Sequence, residues 1–108
     1  NNHRIRVSKK NDINNCLFGT GGKIEKETDL PLRKSGCAAL DMAYVASGRF
    51  DGFFQDNLNL WDIAAGIVLV KEAGGLINEI NLSVIKNLKI IASSVDINEK
   101  LLKKLNNF

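Results

Sequence analysis

One histidine, one proline, one tryptophan, one tyrosine and two cysteines in 108 residues leave little material for several common chemistries. His3 stands near the start, and Ser35, Ser47 and Ser93 lack a G-x-S-x-G setting, so nothing points to a nucleophilic triad. Cys16 and Cys37 form no CxxC and no Cys/His cluster, and a lone histidine cannot supply the other ligands of a zinc site. The two cysteines read instead as buried thiols in a reducing cytosol, without the context that would activate either. The formal charge of +3 is scattered, with no basic run to track a phosphate backbone, which argues against a nucleic-acid partner. The longest strongly apolar run, Ile63 to Val70, is far short of a membrane span, and no cleavable signal opens the sequence. A cytoplasmic chain with no membrane contact is expected. There is no methionine at position 1, and the sequence passes at once into strand-like alternation, which reads as a fragment of a longer protein.

What is present is an ordinary globular composition, 44% apolar and 25% charged, enough for one domain over residues 1–108. Residues 3–8 alternate in period two, with Ile5 and Val7 on one side and Arg4 and Arg6 on the other, and predict a half-exposed strand. Residues 16–20 predict a buried strand, followed by a loop at Gly19, Gly21 and Gly22 where a ligand or backbone can approach closely. "LPLRK" suits a brief strand. "SGCAALDMAYVASG" (35–48) spaces its apolar residues for a helix capped by Gly48. Residues 49–55 predict a strand ending in a polar turn, "DNLN". A second helix should run from an Asn59 N-cap to Ala73 and stop at Gly74 and Gly75. Its middle, "IAAGIVLV", is apolar all round and so needs cover on more than one side. Strands over 75–80 and 88–93, then a helix opening with a capping-box-like Asp96 to Glu99 and ending at Leu105, complete the chain. Strands and helices alternate, so the expected class is α/β: a mixed sheet with helices packed on it.

Asp62 is the residue that invites chemistry. An acid in the first turn of a helix complements its dipole, worth about 0.3–1 kcal/mol, and needs no further role. A carboxylate at the mouth of an apolar helix is also a natural ligand for a hard metal ion. The aspartate alone does not decide. The second candidate is the start of the first helix, where Gly36, Cys37 and Ala38 follow the basic pair Arg33 and Lys34. Amides there favour phosphate, and small side chains leave room for it; a plain tight entry to a helix fits as well. Gln55 and Asp56 close a strand shortly before Asp62 and either face the same pocket or form a solvated turn. With no triad available, hydrolysis on this chain would need metal-activated water.

Residues 33–75, "RKSGCAALDMAYVASGRFDGFFQDNLNLWDIAAGIVLVKEAGG", resemble the C-terminal half of the inositol monophosphatase family, magnesium-dependent and lithium-sensitive phosphomonoesterases. The family's W-D-x-A-A-G and E-A-G-G elements are matched by Trp61, Asp62, Ala64, Ala65 and Gly66 and by Glu72 to Gly75. The upstream R-x-x-G-[ST]-A-A-L-D-[LM]-A-Y-V-A-x-G-R element is matched almost throughout, and the flanks "LFGTG" and "IIASSVDINEKLLKKL" are similar to the family's neighbouring strands and last helix.

The resemblance implies that Asp62 completes one magnesium site and touches the substrate's hydroxyl side. It implies that Gly36, Cys37 and Ala38 wall the phosphate and polyol ring, and that Gln55 stands where members acting on inositol phosphates carry a Glu. Cys37 replaces the usual Ser or Thr, and the segment between Gly22 and Arg33 is shorter than the family's. The family's remaining magnesium ligands lie in an N-terminal half, in a G-E-E-type element and a D-P-[LI]-D-G-T loop that do not occur here. The implied protein is therefore the C-terminal part of a Mg2+ phosphatase for inositol 1-phosphate or a similar polyol phosphate, inactive without its N-terminal half. Histidinol phosphate, a 3′-phosphonucleotide and fructose 1,6-bisphosphate are alternative substrates, and a non-catalytic interaction module is the alternative class. An apolar face awaiting the other half is expected, and with it self-association, a homodimer included.

Overall fold

Phe53 and Phe54 are neighbours in sequence and lie in different cores, because successive residues of a strand point to opposite faces of its sheet. The computed structural model describes residues 5–21, 30–81 and 83–105. Within them, β1 (Phe18–Thr20), β2 (Leu32–Arg33), β3 (Gly52–Leu58), β4 (Leu76–Ile77) and β5 (Leu88–Ser93) form one sheet in the order β2-β1-β3-β5-β4. β1 pairs in parallel with β2 and β3, whereas β5 runs antiparallel to β3 and β4, so the sheet is mixed as expected.

Helices α1 (Ala38–Ala46) and α2 (Leu60–Glu72) cover one face, with Met42, Val45, Phe53, Ile63, Val70 and Ile90 at the centre of that core. The other face packs Phe18, Phe54 and Ile91 against Ile97 and Leu101 of α3 (Val95–Lys104). Helices α1 and α2 meet at Gly66, where an added β-carbon would stand 2.7 Å from Sδ and 2.8 Å from Cβ of Met42. Glycine there sets the helix spacing. Gly48 and Gly74 follow the ends of α1 and α2 with φ of +81° and +89°, the left-handed turn that glycine adopts without strain.

At the end of the sheet where β1 and β3 begin, the buried carboxylate of Asp51 ties three segments together. Its Oδ2 accepts from the Leu17 amide at 2.7 Å and from Lys10 Nζ at 3.5 Å, while its carbonyl accepts from Ser94 N.

Several boundaries move from their sequence positions. Residues 1–4 lie outside the described set, and Ile5–Ser8 form no strand; Val7 instead donates its amide to the Ala73 carbonyl beyond α2. The expected turn at 56–59 is a bulged continuation of β3: Gln55 pairs with Ile90 and Leu58 with Leu88, three steps against two, and Asn57 takes φ +57° to absorb the extra residue. The last helix starts at Val95 behind Ser94 rather than with a box at Asp96. β5 and α2 keep their expected bounds, whereas β1, β2, α1 and β4 are shorter than the segments expected over 16–20, 30–34, 35–48 and 75–80. The thiols also divide: Cys16 is buried as expected, and Cys37 is exposed at the start of α1. Finally, α2 is covered on one side only. It buries Ile63, Gly66 and Val70 and leaves Trp61, Val68 and Leu69 facing outward.

Candidate functional site

Chain direction brings the candidates to one end of the sheet. β2 runs parallel to β1 and leads through Lys34–Cys37 into α1, so α1 begins at the end where β1 finishes. β3 is also parallel to β1 and passes through Asn59 alone into α2. The N-termini of both helices, Gly21 after β1 and the end of β3 therefore share one edge.

At α1, Ser35 makes the turn: its Oγ accepts from the Cys37 amide at 3.0 Å and lies 3.1 Å from the Cys37 carbonyl. Gly36 between them has φ +81°, and a β-carbon on it would meet nothing within 4 Å, so this loop is open on its outer side. Cys37 occupies the N-cap without a side-chain cap, and the first helical bond runs from Asp41 N to Cys37 O. The amides of the first turn are thereby left to a ligand or to water. Exposed Cys37 and half-buried Ala38 are small enough to leave that approach clear.

At α2, Asn59 holds the N-cap position without a side-chain cap hydrogen bond. Asp62 sits in the first turn, its amide on the Asn59 carbonyl at 3.0 Å, its side chain exposed. Among the described residues its carboxylate has no hydrogen-bond or ion-pair partner, so the helix uses it only through the dipole.

Gln55 is half-buried and crosses β1: a β-carbon on Gly21 would stand 2.2 Å from its Oε1. Gly21 thus makes room for the protein's own Gln55, and Gly22 lies outside the described residues. Asp56 belongs to the exposed bulge rather than to this contact.

Sequence reading passed over Asp41. It is 1% exposed, its Oδ1 has no hydrogen-bond partner among the described residues, and its Cγ lies 3.2 Å from where Gly19 would carry a β-carbon. Burial raises its pKa above the ordinary carboxylate value, against a smaller opposing effect of the Ser35 hydroxyl. The signal was there: Asp41 falls on the same stripe as Ala38, Met42 and Val45, which face the core.

Among the described residues no three His, Cys, Asp or Glu side chains come together as a metal cage. Asp62 offers one carboxylate, which does not by itself make a magnesium site.

A family model described as the inositol monophosphatase family matches residues 1–108. The chain belongs to that family.

The inositol-1-monophosphatase of Caulobacter vibrioides is 35% identical to it over 120 aligned residues, covering 94% of this chain and 47% of that protein. The protein named putative Nus factor SuhB in Neisseria meningitidis is 41% identical over 96 residues, covering 75% of this chain and 37% of that one. Among solved structures, the IMPase of Thermotoga maritima superposes with a TM-score of 0.82 at 36% identity over 99% of this chain and 46% of its own. The extragenic suppressor protein suhB from Bartonella henselae gives 0.81 at 38% identity, covering 97% and 47%. The chain thus spans less than half the length of the relatives it matches, and its sheet and helices are those of the inositol monophosphatase fold. No helix among the described residues is long and apolar enough to cross a membrane.

Proposed function

We propose that this chain is the substrate-facing half of a magnesium-dependent phosphomonoesterase acting on inositol 1-phosphate or a similar small polyol phosphate. The observation that carries the reading is the convergence, at one edge of the sheet, of two helix N-termini, the Gln55 amide and the carboxylate of Asp62, which has no side-chain partner among the described residues. In this reading the α1 amides behind Gly36, Cys37 and Ala38 attract the phosphate, since helix N-termini favour anions. Gln55 hydrogen-bonds ring hydroxyls and cannot act as a base. Asp62 contributes one oxygen to a magnesium site whose other ligands come from a second half of about equal length. Magnesium, when bound, would lower the pKa of a water and neutralise phosphate charge.

The apolar face supports such a second half. Trp61 is 63% exposed, Val68 59% and Leu40 41%, on two adjacent helices that pack on the sheet by their opposite sides. A layer laid on this face would give α2 the two-sided cover its composition calls for. The free thiols fit a reducing, cytoplasmic setting.

The test is phosphate release by the full-length protein from inositol 1-phosphate, histidinol phosphate, a 3′-phosphonucleotide and fructose 1,6-bisphosphate, with and without magnesium and lithium. Release from none of them overturns the reading. A Gln55→Glu variant separates inositol phosphate from the rest: unchanged turnover of inositol 1-phosphate removes Gln55 as a selectivity element. A non-catalytic binding module is the second reading, favoured by relatives named Nus factor and by the large apolar face. A full-length protein that binds magnesium yet hydrolyses nothing in the panel would decide for it.

A further inference from the structure

Thr20 ends β1 and carries a hydroxyl into an apolar setting. Alternation along the strand puts it on the same face as Phe18, where Phe54, Ile91, Ile97 and Leu101 make the core, and it is fully buried there. Valine has nearly the same shape and suits a buried strand better, because a hydroxyl taken out of water costs stability unless it is bonded. Thr20 Oγ1 is bonded. It donates at 2.8 Å to the carbonyl of Phe54, the residue opposite it in the β1–β3 pairing.

That carbonyl belongs to the peptide joining Phe54 to Gln55, so the orientation of the peptide sets the direction in which Gln55 leaves the strand. Gln55 is the last residue of β3 paired in register before the shift, opposite Ile90; Asp56 and Asn57 follow in the bulge, where Asn57 turns to φ +57°. A bulge bends its strand and re-aims the side chains beside it. The peptide between Phe54 and Gln55 is therefore where the strand end has to be held. On the opposite face of the sheet, the Gln55 side chain fills the space that Gly21 leaves, since a β-carbon there would stand 2.7 Å from its Cδ. Thr20 and Gly21 are consecutive and act on one residue from two sides: the hydroxyl holds its backbone, and the missing β-carbon makes room for its side chain.

We propose that Thr20 is a positioning residue: through the Phe54 carbonyl its hydroxyl fixes the peptide from which Gln55 reaches the hydroxyls of a polyol phosphate. The link to substrate rests on the reading of Gln55 given above; the link to the strand end does not.

The experiment uses the full-length protein and the variants Thr20→Val, Thr20→Ser, Gln55→Ala and the Thr20→Val/Gln55→Ala double. Amide exchange over residues 55–58, thermal melting, and KM and kcat for inositol 1-phosphate are read for each. Thr20→Val keeps the shape and loses the hydroxyl, and should melt within about 4 °C of the parent. Its exchange over residues 55–58 should rise about tenfold. KM should rise about three- to tenfold with kcat within about twofold, the pattern of lost binding geometry. Thr20→Ser keeps the hydroxyl and loses a buried methyl group, so it should melt lower than the parent while KM stays within about twofold. A purely structural threonine would move KM and melting together; here they should part in opposite directions. The double variant should bind substrate no worse than Gln55→Ala alone, because Thr20 acts through Gln55. If Thr20→Val fails to fold, Thr20→Ala against Thr20→Ser repeats the comparison. A raised KM in Gln55→Ala beside an unchanged KM in Thr20→Val overturns the proposal alone, as do additive losses in the double variant or unchanged exchange over residues 55–58. An unchanged KM in Gln55→Ala, or a parent without turnover, overturns the reading of the substrate site and the proposal with it.

Discussion

Gln55 and Gly21 occupy one space: a β-carbon on Gly21 would lie 2.2 Å from Oε1 and 2.7 Å from Cδ of Gln55. The clash would be with the far end of a flexible side chain, and Gly21 carries no left-handed φ, so an alanine there displaces Gln55 without straining the backbone. Gly21→Ala should therefore leave the melting temperature within about 2 °C of the parent. Substrate KM should shift about three- to tenfold. Gln55→Ala should behave alike, and the double variant should be no worse than either. Additive losses in a double-mutant cycle would show that Gly21 acts on something other than Gln55.

This relationship marks where sequence stopped being informative. Helix-compatible spacing located α1, an Asn59 start and a Gly74–Gly75 stop bounded α2, and the short apolar run Leu88–Ser93 located β5, which is buried on both faces of the sheet. Asp62, Gln55 and the Gly36–Ala38 entry were legible as candidates because each interrupts such a pattern. Which side chain fills the space over a glycine was not legible. That depends on the β1–β3 register, Gly19 opposite Phe53 and Thr20 opposite Phe54, a long-range pairing with no local signature. Asp41 was hidden for a related reason: a polar residue on an apolar stripe looks like a tolerated exception until the notch at Gly19 shows that it is seated. The bulge at Asp56 and Asn57 was misread as a turn because both use the same polar, left-handed-tolerant residues.

Asp62 makes no side-chain tie among the described residues, so its removal separates the chemistry from the fold. Asp62→Asn in the full-length protein should cost no more than about 0.3–1 kcal/mol, the value of a first-turn charge. If the carboxylate is a magnesium ligand, magnesium-dependent phosphate release should fall about 100-fold or more and half-saturation should move to higher magnesium. Magnesium titration followed by activity, beside a melting curve, makes the comparison. Equal activity in parent and variant would return Asp62 to the role of a helix-dipole acid.

The two thiols should differ in reactivity by their surroundings. Cys37 is exposed, whereas Cys16 is buried and its pKa is raised from 9.0 to about 11, first by burial and then by the nearby Asp51 carboxylate. A thiol reagent at pH 8 should therefore label Cys37 within minutes and Cys16 only after denaturation. The shift also has a stability sign. The folded chain keeps the Cys16 proton where the unfolded chain has lost it, so this contribution is complete below pH 9 and disappears as pH rises through about 11. Its ceiling is roughly 2–3 kcal/mol. Asp41, held above the ordinary carboxylate value by burial, acts in the same sense at the acid end, and its contribution is lost as pH rises through its folded value. Melting of Cys16→Ala between pH 8 and 11 should lack the alkaline part of the decline; an unchanged profile would assign that decline to other groups.

At Gly66 the obstacle is rigid. An alanine β-carbon would stand 2.8 Å from Cβ of Met42, which cannot swing away as its Sδ can, so α1 and α2 would have to move apart. Gly66→Ala gains helix propensity and still should lose about 1–3 kcal/mol from overpacking. Pairing it with Met42→Ala, which keeps the β-carbon and empties a buried site, should not restore the loss. Urea unfolding of the single and double variants tests this, and a Gly66→Ala protein as stable as the parent would mean that the helix pair can open freely.

The outward face of α2 gives the last prediction, and its sign depends on what covers the face. Val68 is 59% exposed and stands one helical turn from Ala64 and Ala65 and two from Trp61, all directed away from the sheet. Placed on a solvent-facing surface, a lysine at 68 costs little and weakens self-association by adding charge to an apolar patch. Under a second protein layer the same lysine is a buried, unpaired charge, and about 3–5 kcal/mol is the usual scale of that loss. Val68→Lys should thus reduce oligomers of the 108-residue chain in sedimentation velocity while lowering the stability of the full-length protein. Val68→Leu, which adds volume without charge, should leave the chain's association intact. A full-length protein indifferent to Val68→Lys would mean that this face is not where the second half packs, and with it Asp62 would lose its route to the remaining metal ligands.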